Sequence, residues 1–237
     1  MKRIFFLTIV FALFLISALD ASAQIEISIY PQPDSPLQFS NVVPKRRIMT
    51  DNQGRDWNML SVEFVSQNVS GKSIRAYAIR QFEGEFSKDL GSTVFSYSAT
   101  GLFKPYDLRN EGIGESSFSE TSKSIKIAVD FVEFADGSVW GADISKSAQV
   151  LAGLRAGAEA SLEFLKNINK QSGFETVVKS LNEIKVVPPE NQSPQWSRGF
   201  RSGTSVIKNR IKNIYEKQGS KAAETELQKP FDPSSNN

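Results

Sequence analysis

Two residue types are missing from this 237-residue chain, which contains no cysteine and no histidine. Without histidine the chain cannot form a Ser-His-Asp triad, a Cys-His nucleophile pair or the common zinc sites. Without cysteine it cannot form a disulfide, so its hydrophobic core must hold the fold together. A bound metal would have to be a hard cation on oxygen ligands. We expect no cofactor.

Long apolar runs are also scarce, and the longest lies at the N-terminus. Two basic residues precede an apolar segment at 4–19, and small residues at 21–23 follow it in the pattern of a cleavage site. The run is short for a membrane span, which needs about 20 residues. The pattern predicts a secretory signal peptide, residues 1–23, and a mature chain that begins at Gln24. We therefore expect a periplasmic or secreted bacterial protein with no transmembrane span after cleavage.

Charge is nearly balanced overall but unevenly distributed. Residues 24–142 carry 12 basic and 15 acidic side chains, whereas residues 143–237 carry 14 and 10. Neither part is charged enough to predict nucleic-acid binding.

The stretch from Ser124 to Asp143 separates two kinds of sequence pattern. Its first half alternates apolar residues with others, which predicts a half-buried strand. The alternation places four side chains on one face: Ile125, Ile127, Val129 and Phe131. A turn and a short return strand ending at Trp140 follow, and Asp143 is a candidate helix N-cap.

Before this stretch, short alternating segments separated by turn residues predict an antiparallel β-sandwich over residues 24–142. The segment 62–79, with its Asn-Val-Ser-Gly-Lys turn, resembles the immunoglobulin-like or fibronectin-like modules of exported bacterial proteins. The resemblance concerns the fold of about half the chain and implies no functional residue.

After Asp143 the apolar spacing changes to three or four residues, which predicts helices and an α+β protein overall. We predict a helical pair over 143–186, with its first helix at 144–169. Three prolines predict a linker at 187–199, and spaced isoleucines predict a basic helix at 200–229. Residues 230–237 are expected to be a disordered tail.

Two glycines in the first predicted helix, Gly153 and Gly157, lie four residues apart on one ridge. Glycine destabilises a helix interior by about 1 kcal/mol relative to alanine. Their presence predicts that another surface, either the sandwich or a partner, packs closely on this ridge.

Four further residues are candidates for partner contacts. Trp140 could stack on a carbohydrate, although packing at the junction of strands and helices is the better interpretation. Lys208, Arg210 and Lys212 belong to the basic last helix. That helix could contact a membrane surface or the acidic N-terminal part, or simply be solvated.

Three motifs resemble catalytic or ligand sites. Gly71-Lys72-Ser73 resembles the end of a P-loop, but no helix pattern follows it, so we interpret it as a turn. Ser205 and Lys208 have Ser-x-x-Lys spacing without the partner motifs of penicillin-recognising enzymes. Two carboxylate clusters, neither with calcium-loop spacing, are better explained as solvated loops: Glu83, Glu85 and Asp89, and Glu111, Glu115 and Glu120.

These observations favour a non-enzymatic exported module that binds a protein or glycan of the cell envelope. One alternative is a hydrolase that uses carboxylates or a Ser–Lys pair. Another is an assembly factor whose helices pair with another copy or another protein.

Overall fold

The computed structural model of the protein describes residues 26–83, 88–96, 101–117, 124–184 and 186–231. It confirms a mixed α+β structure with strands in the N-terminal part and helices in the C-terminal part. The predicted signal peptide, 1–23, and most of the predicted tail, 230–237, lie outside the described residues. None of the helices within these ranges is long and apolar enough to cross a membrane.

The strands form two sheets. In chain order they are β1 (Glu26–Ile29), β2 (Leu37–Thr50), β3 (Asp56–Asn68), β4 (Ile74–Glu83), β5 (Lys88–Ser96), β6 (Leu108–Ser117), β7 (Ser124–Phe134) and β8 (Val139–Trp140). Sheet A has the order β1-β7-β4-β5, and β8 also pairs with β7. Sheet B has the order β2-β3-β6.

The prediction of purely antiparallel sheets is wrong at one edge of sheet A. There β1 runs parallel to β7, with Glu26 opposite Ser124. The three strands of sheet B are antiparallel, but two register shifts interrupt their pairing. Such irregularities increase the local twist, and sheet B is accordingly curled.

One hydrophobic core lies between the two sheets. Sheet B contributes inward-facing residues such as Leu60, Val62 and Phe64, and sheet A contributes Ile79 and Ile127. All five side chains are at most 2% exposed. Strands alternate side chains between faces, so the outward positions of β2 and β3 remain in solvent.

A β-bulge in β7 changes which face its side chains occupy. Val129 pairs with Ile79 and Phe131 pairs with Ala78, so Asp130 is an extra residue without a partner in the ladder. An extra residue reverses the alternation beyond it. Ile125, Ile127 and Val129 face sheet B as predicted, but Phe131 faces the opposite side and packs in a separate cluster. The prediction that all four residues share one face is therefore wrong for Phe131.

Asp130 connects the bulge to the start of the helical part. Its side chain is 5% exposed and accepts hydrogen bonds from the backbone N–H groups of Ile144 and Ser145 at 3.0 and 2.9 Å. Its carbonyl oxygen accepts another from the N–H of Asp143 at 3.0 Å. Gly141 passes close by with a φ of 99°, and a Cβ there would lie 2.4 Å from the same carbonyl oxygen. The bulge thus fixes the direction in which the chain leaves the sheet.

The helical part contains α1 (Ser147–Ser172), α2 (Phe174–Ser180), a 3-10 turn (Leu181–Glu183), α3 (Pro194–Gln218) and α4 (Ser220–Leu227). The prediction of Asp143 as the N-cap is wrong, because α1 begins later than predicted and Lys146, with a φ of 55°, occupies the N-cap position. The Asp143 carboxylate nevertheless accepts hydrogen bonds from the first-turn N–H groups of Ser147 and Ala148. The last helix begins earlier than predicted, inside the proposed linker 187–199, because Ser193 caps it and Pro194 occupies its first turn. Gly219, with a φ of 84°, separates α3 from α4.

Glycines bring α1 and α3 into backbone contact. A Cβ on Gly153 would lie 2.0 Å from the carbonyl oxygen of Trp196, and one on Gly157 would lie 2.0 Å from that of Phe200. Gly199 and Gly203 on α3 meet α1 equally closely. The contacts advance in the same direction on both helices, so α1 and α3 are parallel. Small residues four apart are the pattern that allows such close approach.

The helices also pack on sheet A. Leu151 of α1 is 1% exposed and contacts the cluster of Phe131, Ala76 and Ala78 on the outer face of the sheet. Arg155 donates two hydrogen bonds to the carboxylate of Glu133, at 3.2 and 3.0 Å. Bidentate pairs of this kind are directional, so this one fixes the orientation of α1 on the sheet.

Candidate functional site

The six predicted contact residues do not form one surface. Gly153 and Gly157 are buried beneath α3 of the same chain, so the ridge that we assigned to the sandwich or a partner is covered internally. Trp140 is half-buried at the end of β8 and packs against the core between the sheets. The three basic residues lie on α3, away from both.

Arg210 is a structural residue within the helical part. Its guanidinium donates to the carboxylate of Glu226 on α4, and both side chains are largely buried. Burial alone would raise the pKa of Glu226, but hydrogen bonds from Lys229 and Arg210 hold it below its usual value. Lys208 is half-buried and Lys212 is exposed, with its Nζ 3.8 Å from Glu216. The prediction of a partner contact therefore does not suit Arg210, whose charge is used to hold α4 on α3.

The Ser–Lys and P-loop resemblances do not gain support from geometry. Ser205 donates its hydroxyl to the backbone carbonyl of Arg201 at 3.1 Å, as serines on helix surfaces do. Lys72 pairs with Asp136 at 2.8 Å, on a turn between two strands. Among the residues that the structure describes, no group of acidic side chains is arranged to hold a metal ion.

A cleft between the open edges of the two sheets has the features of a ligand site. This inter-sheet cleft has a volume of about 830 Å³. Its lining comes from β2, β3, β5 and β6: Asn41, Val43, Glu63, Phe64, Val65, Val94, Phe95, Ser96, Asn110, Glu111 and Gly112. Clefts of roughly 300–1,000 Å³ that combine apolar walls with a few polar groups are the usual sites of ligand binding.

A series of aromatic contacts crosses from one sheet to the other beneath this cleft. Phe39 and Phe64 of sheet B meet edge to face with centroids 5.1 Å apart, and Phe64 lies 6.1 Å from Phe95 of sheet A. Phe95 stacks on Tyr77 with centroids 4.7 Å apart. Of these rings, Phe64 and Phe95 belong to the lining and form an apolar floor, which the contacts with Phe39 and Tyr77 hold in place.

Glu111 is the titratable group of the cleft. It lies opposite Phe64 in the β3–β6 ladder, and its carboxylate accepts a hydrogen bond from the hydroxyl of buried Ser66 at 2.8 Å. Burial raises the pKa of Glu111 from 4.5 to about 7, and the hydrogen bond from Ser66 offsets only part of this increase. Near neutral pH the group therefore exists as both acid and carboxylate.

Glu63 contributes differently from Glu111. It is adjacent to Phe64 on β3 and therefore points to the other face of sheet B. There it pairs with Lys45 at 2.5 Å, and both side chains are more than half exposed. The cleft thus has one half-buried acid and, at its rim, one carboxylate already neutralised by a cation.

Only part of this site could be predicted from the sequence. Glu111 is one of the candidate carboxylates that the sequence places in a solvated loop, whereas the structure places it in β6. Of the other members of the two clusters, Asp89 pairs with Arg80 at 3.1 Å. Glu85 and Glu120 lie outside the described residues.

Glu111 is expected to make stability depend on pH. The folded state holds a proton that the unfolded state releases between about pH 4.5 and 7, so stability falls as pH rises through this range. Glu111→Gln should remove this part of the slope and raise stability at pH 8 by about 1–3 kcal/mol, allowing for partial exposure. Urea unfolding at pH 5 and pH 8 measures both effects.

Glu159→Gln, which removes an exposed carboxylate from α1, is the matched control for this measurement. Its change in stability with pH should follow the wild type. If Glu111→Gln also follows the wild type, Glu111 does not titrate near neutral pH.

Comparison with known proteins gives little further information. No family model matches the sequence, and no curated protein matches it. A solved structure of a hypothetical protein from Peptoclostridium difficile 630 is similar over 49% of this chain and 91% of its own length. The identity is 15% and the TM-score 0.27, which is too low to support any argument about fold or function.

Proposed function

We propose that this protein is a non-enzymatic exported binding module of the bacterial cell envelope, and that the inter-sheet cleft takes a segment of an envelope protein or glycan. The observation that supports this most is the cleft itself, which has an aromatic floor and a single half-buried acid, Glu111. Export rests on the signal-peptide pattern at residues 1–23.

The proposal extends to the fold of the N-terminal part as an immunoglobulin-like or fibronectin-like sandwich. Two facing sheets that share one apolar core support it. The parallel pairing of β1 and the curl of sheet B are departures from that pattern.

A carboxylate hydrolase is the second candidate, because an acid with a pKa near 7 is suited to general acid catalysis. Such an enzyme needs a second carboxylate as base or nucleophile. The nearest candidate in the cleft, Glu63, is on the other face of β3 and is paired with Lys45. The geometry therefore favours binding over hydrolysis.

An assembly factor that pairs through its helices is the third candidate. The glycine ridge that suggested it is occupied by α3 of the same chain. This candidate therefore has less structural support than the cleft.

Capture from envelope fractions with a C-terminally tagged full chain tests the proposal. Asn110 is an exposed lining residue that, like Glu63, lies at the rim, so Asn110→Trp should obstruct the entrance to the cleft. Leu108→Trp places the same bulk on the same strand at a residue outside the lining. We expect wild type and Leu108→Trp to retain a common envelope component that Asn110→Trp retains about tenfold less or not at all. Mass spectrometry of the recovered protein should show an N-terminus at Gln24.

Two results would oppose the proposal. Equal capture by Asn110→Trp and Leu108→Trp would remove the cleft as the binding site. A recovered chain that still begins at Met1 would contradict export with signal cleavage.

A further inference from the structure

A groove runs along the exposed side of α3, and we infer that it binds an acidic polysaccharide. This α3 groove has a volume of about 760 Å³. Its lining residues all belong to α3 and recur at spacings of three or four from Arg198 to Lys217, a distance of about 28 Å along the helix axis. It shares no residue with the inter-sheet cleft, so the inference does not rest on that cleft.

The groove is open because α3 packs on its neighbours through a different side. Gly199 and Gly203 meet the backbone of α1, and Ile207 and Ile211 belong to the core of the helical part. Successive residues of an α-helix are rotated by about 100°, so the lining residues between these positions point elsewhere. The lining residues farthest from the buried side are all exposed: Arg198, Ser202, Ser205, Asn209 and Asn213.

The charge of α3 is strongly positive. The helix carries six basic residues and one acidic residue, Glu216. Glu216 lies outside the lining, and the Nζ of Lys212 is 3.8 Å from its carboxylate. All four charged residues of the lining are basic. The groove therefore attracts anions along its whole length.

Three of the four lining cations are available to a ligand. Arg210 is the exception, because its guanidinium is bound to Glu226 of α4. Arg198, Arg201 and Lys217 are exposed, and none of them has an ion-pair partner in the part of the chain that the structure describes. The two arginines lie one turn apart at one end of the groove, and a guanidinium can bind a carboxylate through two parallel hydrogen bonds.

The middle of the groove is polar but uncharged. The hydroxyls of Ser202 and Ser205 donate to carbonyl oxygens of α3 itself, both at 3.1 Å, and their oxygens can still accept. The side chains of Asn209 and Asn213 form no hydrogen bond with other described residues. An amide both donates and accepts, so these side chains suit hydroxyl groups better than a further anion.

The groove lacks the features that other polyanionic or helical partners need. Val206 and Ile214 are its two apolar lining residues, and both are half-buried. An amphipathic helix in a groove needs apolar anchors at every turn. A helix that binds a membrane surface needs a broad apolar face. Single-stranded nucleic acid stacks on aromatic side chains, and the lining has none.

A polymer of sugar acids offers what the groove can bind. Its carboxylates suit the arginines and Lys217 at the two ends, and its hydroxyls suit the asparagines between them. A groove of about 28 Å is far longer than one monosaccharide, which favours a polymer. We therefore assign the groove to a polysaccharide that carries carboxylates.

Isothermal titration calorimetry of the full chain with four polymers tests which groups the groove recognises. Polygalacturonate has both carboxylates and hydroxyls, whereas dextran has hydroxyls alone. Polyphosphate has charge without hydroxyls, and polyglutamate carries its carboxylates on a peptide.

The double variant Arg198→Gln with Arg201→Gln removes two cations from the groove. Lys170→Gln with Lys179→Gln removes two exposed positive charges from the same helical part outside the lining, and is the matched control. Because all four positions are exposed, both double variants should fold.

We expect the wild type to bind polygalacturonate more tightly than the other three polymers. The arginine variant should weaken this binding about tenfold or more, and the lysine control should stay within about twofold of the wild type. Binding should also weaken as salt is added, because exposed charges are screened.

Absence of binding to polygalacturonate would overturn the inference. Equal losses in the two double variants would overturn it as well, since net charge rather than the groove would then decide binding. Equal or tighter binding of polyphosphate or polyglutamate would overturn the assignment to a polysaccharide. The inter-sheet cleft is tested with Asn110→Trp and Leu108→Trp, so failure of either proposal is distinguishable from failure of the other.

Discussion

Gly157→Leu is expected to lower the free energy of unfolding by about 1–3 kcal/mol. In an isolated helix the same change would be favourable by about 1 kcal/mol, because glycine is a poor helix former. Here any Cβ would lie 2.0 Å from the carbonyl oxygen of Phe200. This oxygen belongs to the backbone, so no side-chain rotation can relieve the clash. The two helices, α1 and α3, must therefore move apart. Urea unfolding measures the loss.

Ala152→Leu is the matched control, since Ala152 is exposed on the same helix. It should leave stability within about 0.5 kcal/mol of the wild type. A rise in melting temperature for Gly157→Leu would show that Gly157 does not face α3.

Phe131→Ala is expected to cost about 3–5 kcal/mol, because a buried aromatic side chain leaves a cavity when it is removed. Phe131 is 4% exposed and packs with Ala76 and Ala78 of β4 and with Leu151 of α1. The loss should therefore weaken the packing of the helix on the sheet as well as the sheet itself. Thermal and urea unfolding give the size of the effect.

Lys126→Ala provides the comparison on the same strand. Because of the bulge, Lys126 lies on the same face as Phe131 but beyond the part of the sheet that α1 covers. It is half-buried, and its replacement should cost under about 0.5 kcal/mol. Equal losses for the two variants would contradict the assigned packing of Phe131.

The division of the chain at Asp143 could be predicted because strands and helices differ in the period of their apolar residues. Five apolar residues spaced three or four apart predict the buried face of α1, and four of them, Leu151, Ala158, Leu162 and Leu165, are buried while Leu154 is half-buried. Local periodicity is decided by neighbouring residues, so it is visible in a sequence.

The bulge at Asp130 could not be predicted in the same way. An apolar alternation that continues through Phe131 looks regular, and only pairing with β4 shows that one residue is extra. The spacing of glycines within α1 likewise does not reveal which element packs against them. Gly199 and Gly203 have the same spacing as Gly153 and Gly157, and pairing the two sets would have suggested the α1–α3 contact.

The candidate site depends on contacts between distant residues for the same reason. The sequence pattern predicts a solvated carboxylate at Glu111, whereas the structure half-buries it beside Ser66, which is 45 residues away in sequence. A buried acid has no sequence signature of its own, because its surroundings come from elements distant in sequence. For Glu111 these are the neighbouring strand β3 and the facing strand β5 of sheet A.

Amide hydrogen exchange in Phe131→Ala tests most directly the central structural claim, that sheet A and α1 form one cooperative unit joined at this residue. If they do, protection should fall together and by a similar free energy in β4, β7 and α1. Loss of protection in the two strands while α1 keeps the protection of the wild type would show that the helical part is stable on its own, and would contradict the account.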